Sequence, residues 1–140
     1  MFDFQKLRIW QEGHRLTVVV YELTRQFPRE ELLGLTSQMR RSMASVPHNI
    51  AEGCGRGSKA QLKQFVGFAM GSASEFHSQA LLARDLGFLA SEEATSLLHD
   101  VEILRRMLSA YYATLRPDAT AGNDSNQVPK TLSPPKPPSP

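Results

Sequence analysis

The sequence predicts an all-α protein of four amphipathic helices, and three observations carry that expectation. Apolar residues recur at alternating steps of three and four in four separate stretches, the spacing that lines one face of an α-helix. Helix-breaking residues stand between the stretches: Pro28 to Gly34, the run from Gly53 to Gly57, and Gly87. Capping signals precede the last two stretches, Ser58 with Gln61 in one case and Ser91 with Glu92 and Glu93 in the other.

The first helix is expected over residues 5–27, where Ile9, Gly13, Leu16, Val20, Leu23 and Phe27 keep the helical period. The run from Val18 to Tyr21 is β-branched, but the sustained helical period on both sides outvotes a strand. Pro28 ends the helix, because the residue before a proline is pushed out of the α region. Met39, Met43, Val46 and Ile50 line the second helix, with Thr36 or Ser37 as its cap. Pro47 falls inside this pattern and removes a backbone hydrogen bond, so the helix should continue but kink near Met43, with Ser42 and Ser45 offering hydroxyls to the freed groups. The glycines at 53, 55 and 57 stop it.

The third helix starts after Ser58, with an inner face of Leu62, Phe65, Ala69, Ser72, Phe76, Gln79, Ala83 and Leu86. Small residues in its middle, Gly67 to Ser74, leave room for a neighbouring helix to approach closely. Gly87 stops it, and Leu97, Val101, Leu104, Leu108, Tyr111 and Leu115 line the fourth helix. Residues 1–115 therefore form one helical domain, while 116–140 hold seven of the nine prolines and hardly an apolar side chain. That composition predicts a disordered Pro-rich tail, with a PxxP pattern in its last residues that also suits an SH3-like partner.

The net charge of +2 is too small to announce a nucleic-acid binder, so any basic signal must be local. The single cysteine excludes an intramolecular disulfide and a CxxC metal site. No apolar run approaches the roughly 18 residues of a membrane span, and no signal peptide stands at the start, so a cytoplasmic protein with no membrane association is expected.

The densest basic region carries Arg40, Arg41, Arg56, Lys59 and Lys63 against Glu52 alone. Arg56, Gly57, Ser58 and Lys59 head a helix, where backbone N–H groups and cations together suit a phosphate; the competing reading is a solvated charged face. Adjacent residues on a helix point about 100° apart, so Arg40 and Arg41 should have different tasks. Arg41 is expected to pair with Glu52 or Glu75 and, with Asn49, to tie helices together, leaving Arg40 for an outside contact. Nucleic-acid contacts are therefore expected at Arg40, Arg56, Lys59 and Lys63, and a structural polar network at Arg41, Asn49, Glu52 and Glu75.

No catalytic or metal site is expected, and no cofactor. His48 and Glu52 lack the second carboxylate or activated nucleophile that hydrolysis needs, and His14, His48, His77 and His99 are scattered one per helix. Cys54 sits near Arg56, where a thiolate would be favoured, although a small structural residue is the default. Trp10, Tyr21, Tyr111 and Tyr112 are core or subunit contacts before they are stacking platforms, with Tyr112 the one more turned outward.

Three stretches carry a resemblance: FDFQKLRIWQEG, FPREELLGLTSQMRRSMASVPHNIAEGCGR and FAMGSASEFHSQALLARDLGFL. Over residues 2–115 the chain resembles the bacterial four-helix-bundle proteins encoded by intervening sequences of 23S ribosomal RNA genes. QxRR at 38–41, SVPHNIAEG at 45–53 and GSASE at 71–75 are its most specific pieces. The resemblance implies an up-and-down antiparallel bundle assembling as a ring, a homopentamer. The family is similar in fold to the accessory protein of diversity-generating retroelements, a barrel-like pentamer that binds nucleic acid and a reverse transcriptase. The reading is thus a non-enzymatic ring-forming bundle that binds RNA or DNA, RNA before DNA, through a basic surface. The alternative is a scaffold for a protein partner with no nucleic-acid binding.

Overall fold

The computed structural model describes residues 2–116; the expected Pro-rich tail lies outside them from residue 117 onward. Among the described residues the elements are helical throughout: α1 (Arg8–Thr24), α2 (Leu35–Gly55), α3 (Lys59–Asp85) and α4 (Ser91–Thr114), with short 3₁₀ turns at Phe4–Lys6 and Arg29–Glu31. Among the described residues no helix is long and apolar enough to cross a membrane.

α1 begins later than the apolar period suggests. Asp3 Oδ1 accepts the Gln5 N–H at 3.1 Å and closes a separate 3₁₀ turn, after which Leu7 is extended. At the other end, Phe27 bonds back to Thr24 over three residues, a tightening that precedes Pro28.

The α1–α2 connection overturns the expected Thr36 or Ser37 cap. Its 3₁₀ turn brings Glu31 above the first turn of α2, where Oε1 accepts the Leu35 N–H at 3.2 Å. Thr36 is carried into the helix and buried, and its hydroxyl has no partner among the described residues. α2 then runs unbroken through Pro47. The freed carbonyl of Met43 is met by α1, with Thr17 Oγ1 at 3.4 Å, and not by Ser42 or Ser45. Those two serines face α3: Ser42 donates to Gln79 Oε1 at 2.6 Å, and the Ser45 and Ser72 hydroxyls lie 2.9 Å apart.

Ser58 caps α3 as its sequence predicts, accepting the Gln61 N–H at 3.2 Å. The inner face is rotated slightly from the expected one. Val66, Ala73 and Ala80 join Leu62, Ala69, Ser72, Phe76 and Ala83 inside, while Phe65 is half-buried and Leu86 is 52% exposed. The small side chains let α2 come close. A Cβ added at Gly53 would stand 2.8 Å from Phe65 Cβ, nearer than such atoms approach, and a tight 3.3 Å from Leu62 Cα. Gly87, at φ +78°, closes α3, and Ala90 rather than Ser91 is the cap of α4; alanine has no acceptor, so Glu93 Oε1 supplies the bond by taking the Ala90 N–H.

Leu16, Met39, Met43, Ile50, Leu62, Phe76, Leu104 and Leu108 are fully buried between the helices. Each contributes roughly 1.5–3 kcal/mol of burial free energy. Each helix packs against its chain neighbours, and α4 closes on α1; α1 and α3, like α2 and α4, do not meet. The α2–α3 interface is the most extensive and the α4–α1 interface the thinnest. Two open clefts interrupt that last one, of about 490 Å³ between Lys6–Ile9 and the end of α4, and about 280 Å³ between Val19, Leu23 and the first turns of α4.

Candidate nucleic-acid interface

The head of α3 gathers the basic residues. Arg56 caps α2, Gly57 turns the chain at φ +86°, Ser58 is extended, and Lys59 opens the next helix, with Lys63 one turn on. The positive φ is where glycine has an advantage, since a side chain there would crowd its own backbone. Arg56 and Lys59 are exposed and Lys63 is half-buried. The first N–H groups of α3 add to their field, apart from that of Gln61, which Ser58 takes.

Each of two cations lies over an aromatic ring. Arg56 Cζ is 5.1 Å from the centroid of Phe65, and Lys63 Nζ is 4.7 Å from that of Tyr112. Arg56 also pairs with Glu52 at 2.7 Å, both side chains being about half exposed. Such a pair is worth about 0.3–0.5 kcal/mol and holds Arg56 only weakly.

Arg40 is elsewhere and otherwise occupied. Its Nε donates to Thr24 Oγ1 at 2.8 Å and its guanidinium lies 4.8 Å over the Tyr21 ring, so it staples α2 to α1. Sixteen helical residues from Arg56, it stands about 24 Å away along α2. Arg41 is the exposed member of the pair, the reverse of the order expected from the sequence.

Of the polar residues assigned a structural task, Asn49 donates to the carbonyl and the hydroxyl of Ser45, both at 2.8 Å, and Ser45 reaches Ser72 on α3. Glu75 accepts from Gln79 Nε2 at 3.4 Å, and Gln79 accepts from Ser42. Both therefore feed the α2–α3 seam, while the ion pair of Glu52 stays within α2. Ser42, Ser45, Ser72 and Gln79 are the residues that cross the seam, and only Gln79 and Ser72 stood on an expected inward face.

Cys54 is placed as the small structural residue taken as the default, not as the reactive thiol weighed beside it. It is fully buried, and burial, with Asp3 adding to it, pushes the thiol above its ordinary range. His77 lies 3.0 Å from Arg105, His14 stacks on Trp10, and among the described residues no group of three or more His, Cys, Asp or Glu is placed to hold a metal. Tyr111 and Tyr112 are both half-buried, Tyr112 the less deeply of the two.

Sequence comparison gives a single clear finding. A family model described as 23S rRNA-intervening sequence protein matches residues 5–110, which spans all four helices up to the last turn of α4. No curated protein matches the chain.

Proposed function

The chain belongs to the 23S rRNA-intervening sequence protein family, and on that premise we propose that it binds nucleic acid, RNA before DNA, through the head of α3, without catalysing a reaction. The observation that carries this reading is the convergence of Arg56, Lys59 and Lys63 on one helix start, where Glu52 pairs with Arg56 alone. The family description, which names an insert in ribosomal RNA, supports RNA as the ligand.

Three cations neutralise few phosphates, and affinity from counterion release grows with their number. Several copies of the surface on one assembly would multiply it, because later contacts become intramolecular. The proposal therefore includes helices that alternate up and down, an α2 bent at Pro47, and subunits closed into a homopentameric ring acting in the cytoplasm with no cofactor.

A mobility-shift titration with structured RNA tests the binding. The wild type should bind with an affinity that falls steeply with salt, and a triple substitution R56Q/K59Q/K63Q should abolish binding with little change in melting temperature. Unchanged binding by the variant sinks the proposed surface. Sedimentation tests the ring, which a monomer would overturn.

A second reading, a scaffold for a protein partner, is favoured by one observation. Leu32 and Leu33 are 55% and 88% exposed, and Leu82 and Leu86 about half exposed. The Phe27 and Phe88 rings, 5.4 Å apart, place the connection that carries Leu32 and Leu33 beside the end of α3 that carries Leu82 and Leu86. Absence of RNA binding at low salt would move the assignment to this end of the molecule.

A further inference from the structure

Resting on the nucleic-acid reading, we infer that the head of α3 takes single-stranded RNA, with unpaired bases stacking on Phe65 and Tyr112 while Arg56 and Lys63 move onto the flanking phosphates.

The ring faces are the starting point. A half-buried aromatic side chain ordinarily turns its face to other apolar groups. Here one face of Phe65 is covered by Arg56 and one face of Tyr112 by Lys63, at 5.1 and 4.7 Å. These covers are loosely held: Arg56 is tethered by an exposed ion pair to Glu52, and Lys63 makes no ion pair among the described residues. A base gains more by stacking on such a ring than an exposed cation does, and a cation displaced from the ring is already beside the phosphate that follows the base.

Phe65 is braced from behind. Phe65 Cβ packs so tightly on the backbone of α2 that Gly53 has no room for a methyl group, and Phe68 meets the Phe65 ring edge-on at 5.3 Å. A platform fixed in advance loses little freedom when a base arrives. Phe65 lies on the α2 flank of α3 and Tyr112 belongs to α4, on the flank where Lys63 reaches it, so the two platforms stand on different sides of the helix. Between them α3 presents Ala60, Gln61 and Gln64, all exposed, which lets a strand cross the helix head, with Lys59 one turn before Lys63 on the Tyr112 side.

Duplex RNA uses none of this. Its bases are stacked on each other inside an A-form helix, and a protein meets only phosphates and 2′-hydroxyls. The basic residues alone would then bind, and the aromatic faces would remain under their cations.

The test is a fluorescence-anisotropy titration of the full chain with labelled oligouridylate and with duplex RNA of equal length, at one salt concentration. The single strand should bind about tenfold more tightly. F65L and Y112L, which keep bulk but lose the aromatic face, should each weaken single-strand binding about five- to tenfold and leave duplex binding unchanged. Melting curves confirm that both variants fold; should F65L fail, Y112L alone carries the test. Equal or tighter binding of the duplex overturns this inference and leaves the nucleic-acid reading standing, as does unchanged single-strand affinity in the leucine variants. Binding of neither RNA overturns both.

Discussion

Thr17 Oγ1 lies 3.4 Å from the carbonyl oxygen of Met43, the acceptor that Pro47 strips of its helical donor. The same hydroxyl bonds Gly13 O at 2.8 Å, so one side chain serves both helices where they cross. The crossing is close: a Cβ at Gly13 would stand 3.1 Å from Val46 Cγ1 and 3.4 Å from Pro47 Cδ. T17V keeps the shape and removes the donor, and should cost about 0.5–1.5 kcal/mol in chemical denaturation. Pro47→Ala restores an N–H to the Met43 carbonyl, so the cost of T17V should shrink in that background. Equal costs in both backgrounds would disprove the pairing.

Gly53 and Gly55 sit two residues apart in α2 and should respond oppositely to alanine. At Gly55 nothing lies within 4 Å of an added Cβ, and the substitution should stabilise by up to about 1 kcal/mol through helix propensity. At Gly53 the same change meets Phe65 Cβ and the Leu62 backbone, and overpacking of this kind costs about 1–3 kcal/mol. Melting temperatures that rise together would refute the close approach of α2 and α3.

Thr36 carries a buried hydroxyl with no partner among the described residues. Replacing it by valine removes the unmet polar atom at nearly constant volume. T36V should leave stability unchanged or raise it by about 1 kcal/mol, and a loss above that figure would mean the hydroxyl is bonded after all.

Arg40 and Lys59 should separate stability from binding. R40A removes a hydrogen bond to Thr24 and a cation over Tyr21, and should lower stability by about 1–2 kcal/mol with RNA affinity unchanged. K59A should do the opposite. If R40A weakens binding as K59A does, the RNA surface extends up α2.

The alkaline limit of the fold should reflect Cys54. Its thiol is raised from the ordinary value of 9.0 by burial, so the folded chain holds this proton more tightly than the unfolded chain. That stabilisation is complete below pH 9 and is lost as pH climbs through the folded value. Tyr111 and Tyr112, raised from 10.0 by burial, act in the same direction one unit higher. Urea midpoints should fall as pH rises above 9, and less so in C54A. A midpoint that rises over this range would contradict the burial of the thiol.

The helices were legible because apolar periods, prolines and glycines are local signals, and the N-cap at Ser58 and the stop at Gly87 appear where the residues put them. Elsewhere the deciding group stands off the position that the local pattern marks. The caps of α2 and α4 come from Glu31 and Glu93, carboxylates three or four residues from the N–H that they accept, and not from a side chain at the cap position itself. Phe65 and Val66 are adjacent, and the period alone does not say which points inward; the approach of Gly53 decides it, and that belongs to another helix. Arg40 and Arg41 pose the same problem. Their 100° separation was readable, but the side on which α1 packs was not.

The thin α4–α1 seam joins the two helices most distant along the chain, held by the Arg15–Asp100 bridge at 3.1 Å and interrupted by two clefts. The other three interfaces connect consecutive helices, whose closure loops are short and entropically cheap. Assembly should therefore proceed from the α2–α3 pair outward, with the first and last helices meeting at the end, and amides of α1 and α4 should exchange with solvent sooner than those of α2 and α3.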